Sequence, residues 1–287
     1  MTTQTETTSS QPISLRPESP PLSSGVNVDT DDTEHMNQFD TIPQFQNVAD
    51  KRQWMLEEMA AAFRIFARKG YGLGSAGHIS VRDPEHPDQF WLNPLGRHFG
   101  TLKASDMVLV DHEGNVIGGS RKPVNKAGFQ IHGAVHRARP DVIAACHTHS
   151  TYGKAYSAFG RPVEMINQDA CTFYNDQAVH KFGGIVLSGD ESGLLAKSLG
   201  DKRNLILENH GLLTAGSTVG EAAFLFVLLE QTCQCQLLAD ASQYPKQYVP
   251  DDIADYTFKA TASPEAVWGE FQTEMEYEAF LDSSFRN

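Results

Sequence analysis

Two short apolar runs that each end in histidine constrain this chain more than any other feature. Val142-Ile143-Ala144-Ala145-Cys146 leads into His147-Thr148-His149-Ser150, and Leu205-Ile206-Leu207 leads into Glu208-Asn209-His210-Gly211. Runs this short, continuously apolar and bounded by turn residues, read as buried strands, and the second stops where a glycine lets the chain turn sharply. If the first strand runs on through His147-Thr148-His149, side chains two apart share a face and both imidazoles can reach one cation. His210, at the second strand end, supplies a third imidazole. Three neutral imidazoles leave one position open for water or substrate, the pattern of a catalytic site, with zinc expected first and iron, cobalt or manganese left open.

The surrounding pattern is mixed α and β. Trp54, Met55, Met59, Ala62, Phe63, Phe66 and Ala67 recur at helical spacing and stop at Gly70 and Gly72. Short strands are expected over Gly77 to Arg82, Phe90 to Leu92 and Met107 to Val110, separated by turn residues. A helix over Ala127 to Ala138 is stopped by Pro140, and Ile185 to Leu187 reads as a strand. Helices over Gly193 to Leu199 and from Val219 to about Ala241 complete a βαβα-like half. Residues 46–243 form the expected main domain, and 244–287 an extension carrying one helix from Pro264 to Leu281.

Residues 1–45 read differently. Up to Asp40 they are rich in Thr, Ser, Pro, Gln and Asp, with seven acids against Arg16 alone, a net −6 of the chain's −13. Such composition cannot bury enough apolar surface to offset chain entropy, so an acidic disordered tail is expected. The overall negative charge disfavours nucleic acid and anionic membranes as partners. The sequence shows no continuous run of about 18 apolar residues and no secretory signal, and its four cysteines are too few for a disulfide scaffold. The cytoplasm is the expected location.

Gly77-His78-Ile79-Ser80-Val81-Arg82, Asn93-Pro94-Leu95-Gly96, Arg139-Pro140-Asp141 leading to His147-Thr148-His149, and Asn209-His210-Gly211 stand in an order that resembles the class II aldolase/adducin family, over roughly Lys51 to Asp240. The resemblance implies an α/β/α sandwich around a mostly antiparallel sheet, a metal on His147, His149 and His210, a small-molecule substrate, and a homo-oligomer, with a tetramer favoured. It also implies contacts to substrate near His78, Gly96 and Lys126, and places Tyr174 where similar aldolases present an acid across a subunit boundary.

Departures from the family pattern bear on chemistry. Sugar-phosphate aldolases carry Ser-Ser-Glu where this chain has Lys126-Ala127-Gly128, so the carboxylate base is absent and a phosphosugar is disfavoured. Gly77-His78 replaces the family's Gly-Asn, and Pro94-Leu95-Gly96 its Pro-Ser/Thr-Gly. Glu208, two residues before His210, would share that histidine's face in a strand and is the expected substitute base. The first expectation is therefore a metal-dependent lyase cleaving or decarboxylating a non-phosphorylated hydroxy- or keto-acid. A ferrous oxygenase acting on a keto acid and a non-catalytic adducin-like module are the alternatives. Deleting residues 1–40 is expected to leave the melting temperature unaltered; a large fall in a thermal melt would show that the tail packs.

Overall fold

A computed structural model of the protein describes residues 41–184 and 189–287. The acidic tail up to Asp40 and the expected strand over Ile185 to Leu187 lie outside the described residues. The described chain forms one sheet of eight strands: β1 (His78–Arg82), β2 (Phe90–Leu92), β3 (Val108–Val110), β4 (Val116–Gly119), β5 (Ala144–Thr148), β6 (Gln177–His180), β7 (Asn204–Leu207) and β8 (Gly211–Gly216). Their order across the sheet is β4-β3-β2-β1-β5-β8-β7-β6. Every described neighbouring pair is antiparallel except β6 with β7. That parallel pair needs a crossover, which α4 (Gly189–Leu199) supplies, so a βαβ unit exists at this edge, with β6, not foreseen in the sequence, as its first strand.

Helices cover both faces. α1 (Val48–Arg68), α5 (Val219–Asp240) and α7 (Pro264–Asp282) lie on one side, where Phe63, Phe66, Phe226 and Phe271 pack onto Ile79, Cys146, Ile206 and Leu212. α2 (Lys126–Ala138) and α4 lie on the other, where Ile131, Val135, Leu195 and Leu199 meet Leu205, Leu207 and Leu213. Alternate residues of a strand point to opposite faces, so the cores interleave along β7 and β8. The result is the expected three-layer sandwich.

Local chemistry sets the helix starts. Asn47, Asn125 and Thr218 each accept a hydrogen bond from a backbone N–H three residues on, capping α1, α2 and α5. Ser263 caps α7, with proline in its first turn. α5 is long and apolar enough to cross a bilayer by length and composition, although no unbroken apolar run was found in the sequence. Its apolar side chains are explained by position: Leu225, Phe226, Leu229 and Cys233 are core residues, and Glu221 and Glu230 are buried with hydrogen-bond partners.

The C-terminal extension carries two helices, α6 (Asp251–Thr261) and α7, where one was expected. α7 joins the main core through Val267, Phe271 and Met275. Fully burying each such side chain contributes about 1.5–3 kcal/mol. A polar clasp adds to this contact: the fully buried Glu58 of α1 accepts from Trp268 Nε1 at 2.8 Å, Gln272 Nε2 at 3.0 Å and the Gly220 N–H at 3.3 Å. Burial nevertheless pushes its carboxyl up to about 7. With the folded value above the unfolded one, the native state holds the extra proton between about pH 4.5 and 7, so this group's contribution to stability falls as pH rises through that window. Melting of the wild type should therefore drop more from pH 5 to pH 8 than melting of Glu58→Gln. Equal slopes would show that Glu58 keeps an ordinary carboxylate value.

Candidate metal centre

His147 lies in β5 and His149 one residue past its end, while His210 sits in the three-residue turn between β7 and β8. The turn closes through the His210 N–H donating to Leu207 O at 3.0 Å, and Asn209 takes a left-handed backbone, φ +54°, which asparagine tolerates well. Gly211 then passes so close to β5 that a Cβ there would stand 3.0 Å from Thr148 O. Any larger residue would push the His210 turn away from β5.

One nitrogen from each of His147, His149 and His210 can be chosen so that all three lie within 4.8 Å of one another. His149 Nε2 and His210 Nε2 are 3.0 Å apart. Nitrogens about 2.0–2.1 Å from a tetrahedral zinc stand roughly 3.3 Å apart, so the donor set fits a single cation with small adjustments. His147 Nδ1 is 2.7 Å from Leu212 O. A carbonyl only accepts, so Nδ1 carries the proton and Nε2 presents its lone pair, as a ligand held by an outer partner requires. All three rings are disposed to be neutral. Burial first, then the neighbouring histidines, hold His147 well below its ordinary value; burial and Lys154 lower His149; burial and His149 bring His210 down to about 4.

Glu230 steadies the segment that carries His149. Its carboxylate accepts from Ser150 Oγ at 2.5 Å and from the N–H groups of Tyr152 and Gly153 at 2.8 and 2.6 Å, satisfying the first turn of α3 (Thr151–Ser157). Neither this support nor Lys154, which lines the same cavity as the three histidines, was anticipated from the sequence. The signal for Lys154 was its place one turn into the helix after the histidine pair.

The cavity holds about 540 Å³ and is lined by His78, Asn125, Gly128, Lys154 and Asn209 besides the three histidines, among others. Not every expected site residue reaches it. β7 ends at Leu207, so Glu208 and His210 are separated by a turn and do not share a strand face. The Glu208 carboxylate lies beside Gly160 and accepts from the Phe182 N–H at 3.4 Å, in a small side crevice behind His210. Gly96 and Lys126 are exposed and do not line the cavity, although Ala127 and Gly128 do. Tyr174 ends a 3₁₀ turn over Asp169–Phe173 and is likewise not among the lining residues of its own chain, which leaves only the role across a subunit boundary that the resemblance implies. Cys146, Cys171 and Cys233 are buried, as packing residues are, whereas Cys235 is exposed and does not pack in the core.

Residues 57–237 match the family model for the class II aldolase and adducin N-terminal domain, and the chain belongs to that family. It is 41% identical over 232 residues to decarboxylase NovR of Streptomyces niveus, covering 80% of this chain and 86% of that protein. To 4-hydroxy-3-prenylphenylpyruvate oxygenase/4-hydroxy-3-prenylbenzoate synthase of Streptomyces roseochromogenus it is 40% identical over 232 residues, covering 80% and 83%. Among solved structures, L-fuculose 1-phosphate aldolase from Glaciozyma antarctica superposes with a TM-score of 0.80 at 42% identity, over 88% of this chain and 98% of that one. Elemental analysis of the purified chain should find near one divalent metal per subunit, falling to almost none in His149→Ala. Unchanged metal content in that variant would eliminate the site.

Proposed function

We propose that the chain is a metal-dependent carbon–carbon lyase acting on a non-phosphorylated hydroxy- or keto-acid, by retro-aldol cleavage or decarboxylation. One observation carries this reading: three imidazoles converge on a cavity that also receives Lys154, whose ammonium suits an organic acid, and Gly128, which leaves no carboxylate where the resemblance gives sugar-phosphate aldolases their base. His147, His149 and His210 would hold the cation, zinc first, with iron, cobalt or manganese as alternatives. When bound, the cation supplies positive charge that polarises a carbonyl and stabilises negative charge developing on its oxygen. Lys154 pairs with the substrate carboxylate, and the Asn209 side chain, lining the same cavity, offers both a donor and an acceptor.

Decarboxylation suits this residue set, because loss of carbon dioxide leaves the electron pair on the substrate without a base to remove a proton. The relative named a decarboxylase supports it. The relative named an oxygenase supports a second reading, in which iron on the same three histidines acts on a keto acid, with bound iron and oxygen uptake as its signature. The relative named for a sugar phosphate points the other way, but Lys126, Ala127 and Gly128 stand here in place of the serines and glutamate that the family resemblance assigns to such a substrate. Assembly as a homo-oligomer, a tetramer first, and residence in the cytosol belong to the same proposal. A panel of 2-hydroxy acids, 2-keto acids and ketose 1-phosphates, run with zinc-loaded and iron-loaded enzyme, should show turnover on an acid and little on the phosphates. Absence of a positioned base typically costs 10²- to 10⁴-fold, so brisk cleavage of a ketose 1-phosphate would overturn the proposal.

A further inference from the structure

A chain of polar contacts runs from the cavity into the layer between β1 and α2. His78 Nδ1 is 2.8 Å from His132 Nε2, His132 Nδ1 is 2.6 Å from Ser80 Oγ, and Ser80 Oγ is 2.7 Å from His136 Nε2. His136 Nδ1 ends the chain, 3.2 Å from Val142 O. All four side chains are buried, between fully and 7% exposed. Two periodicities build this row: His78 and Ser80 alternate on one face of β1, and His132 and His136 stand one turn apart on α2. Phe90, stacked on the His136 ring at 4.8 Å, closes the far end.

The far end sets the direction of every proton in the row. Arg82 Nη2 also stands 3.5 Å from His136 Nδ1, but its two hydrogens go to the carbonyls of His136 and Arg139 at 2.6 and 3.1 Å, which leaves Val142 O as the partner of Nδ1. Val142 O can only accept, so His136 carries its proton on Nδ1 and Nε2 must accept from the Ser80 hydroxyl. Ser80 has one proton and has given it, so its oxygen accepts from His132 Nδ1. His132 Nε2 then accepts, and His78 donates from Nδ1. The last consequence is at the cavity, where His78 Nε2 is left with a lone pair and no proton.

Gly128 shows what that nitrogen has displaced. A Cβ built on Gly128 would stand 2.1 Å from His78 Nε2 and 2.2 Å from its Cδ2, so the ring fills the space in which any side chain at 128 would begin. Asn to His at 78 and Glu to Gly at 128, two separate departures in the sequence, are one exchange in space.

We propose that His78 is a substrate-binding residue that accepts a hydrogen bond from a substrate hydroxyl through Nε2, held in that tautomer by His132, Ser80 and His136 as positioning residues, in the place that a side chain at 128 would otherwise take. It rests on the proposed reaction only in assuming an oxygen-bearing acid as ligand. The row itself is a property of the protein alone, and the two can fail separately.

Long-range 1H–15N spectra of the zinc-loaded chain labelled with 15N-histidine test the row. His78, His132 and His136 should each show a protonated Nδ1 and a bare Nε2, and Ser80→Ala should scramble the His78 pattern while leaving zinc content unchanged. A proton on His78 Nε2 in the wild type, or an unaltered pattern in Ser80→Ala, would overturn the proposal. The ligand role is read by lactate and propionate, which differ by one hydroxyl, binding to the zinc-loaded chain. The preference for lactate should fall about five- to tenfold in Ser80→Ala and in Gly128→Ala, the scale of one net hydrogen bond. The same preference in wild type and both variants, or binding of neither acid, would overturn the hydroxyl assignment. Failure of the lyase panel with the tautomer pattern intact would instead reject only the reaction.

Discussion

Antiparallel pairing of β5 with β8 is the contact on which the site depends. It sets His147 opposite Leu213 and Thr148 opposite Leu212, and from this register the Leu212 carbonyl reaches His147 Nδ1. The same pairing fixes where β8 begins, and therefore where the β7–β8 turn holds His210 against His149. A slip of one residue would turn His147 to the opposite face of the sheet, into the apolar layer under α1 and α5. Alternating core residues on both faces make such a slip costly, so the packing that folds the domain also gathers the three imidazoles.

The layer between β1 and α2 carries a continuous row of buried polar side chains. Buried polar groups are tolerated only when paired, and His78, His132, Ser80 and His136 satisfy one another in sequence until the row ends on a backbone carbonyl. Arg82 extends this layer, donating to the carbonyls of Val142, Pro87, His136 and Arg139. Beside such a row an uncharged, side-chain-free position at 128 becomes a steric requirement, because the His78 ring already fills that space. The two departures from the family pattern read in the sequence, histidine at 78 and glycine at 128, are therefore coupled by volume, because a side chain at 128 would meet the His78 ring.

Much of this was legible in the chain. The apolar runs before His147 and His210 placed both strand ends, and helical spacing placed α1, α2 and α5 within a few residues of their observed limits. β8 was not legible: Gly211-Leu212-Leu213-Thr214-Ala215-Gly216 is short and bounded by glycines, and its status as the strand beside β5 comes from pairing across more than sixty residues. The expected shared face of Glu208 and His210 is not formed, because a two-residue spacing implies one only inside a strand, and β7 ends at Leu207, three residues short of His210. Nothing local marks His132 and His136 within the helix of Ala127 to Ala138. Their role depends on β1 lying across α2, which local sequence does not encode.

The central claim is that His147, His149 and His210 form one metal centre at the meeting of β5 and the β7–β8 turn. Anomalous diffraction at the absorption edge of the metal found in the purified protein tests it most directly. One strong peak is expected about 2.0–2.1 Å from a nitrogen of each of the three imidazoles. No peak among the three rings, or a peak ligated by the Glu208 carboxylate in the crevice behind His210, would contradict it.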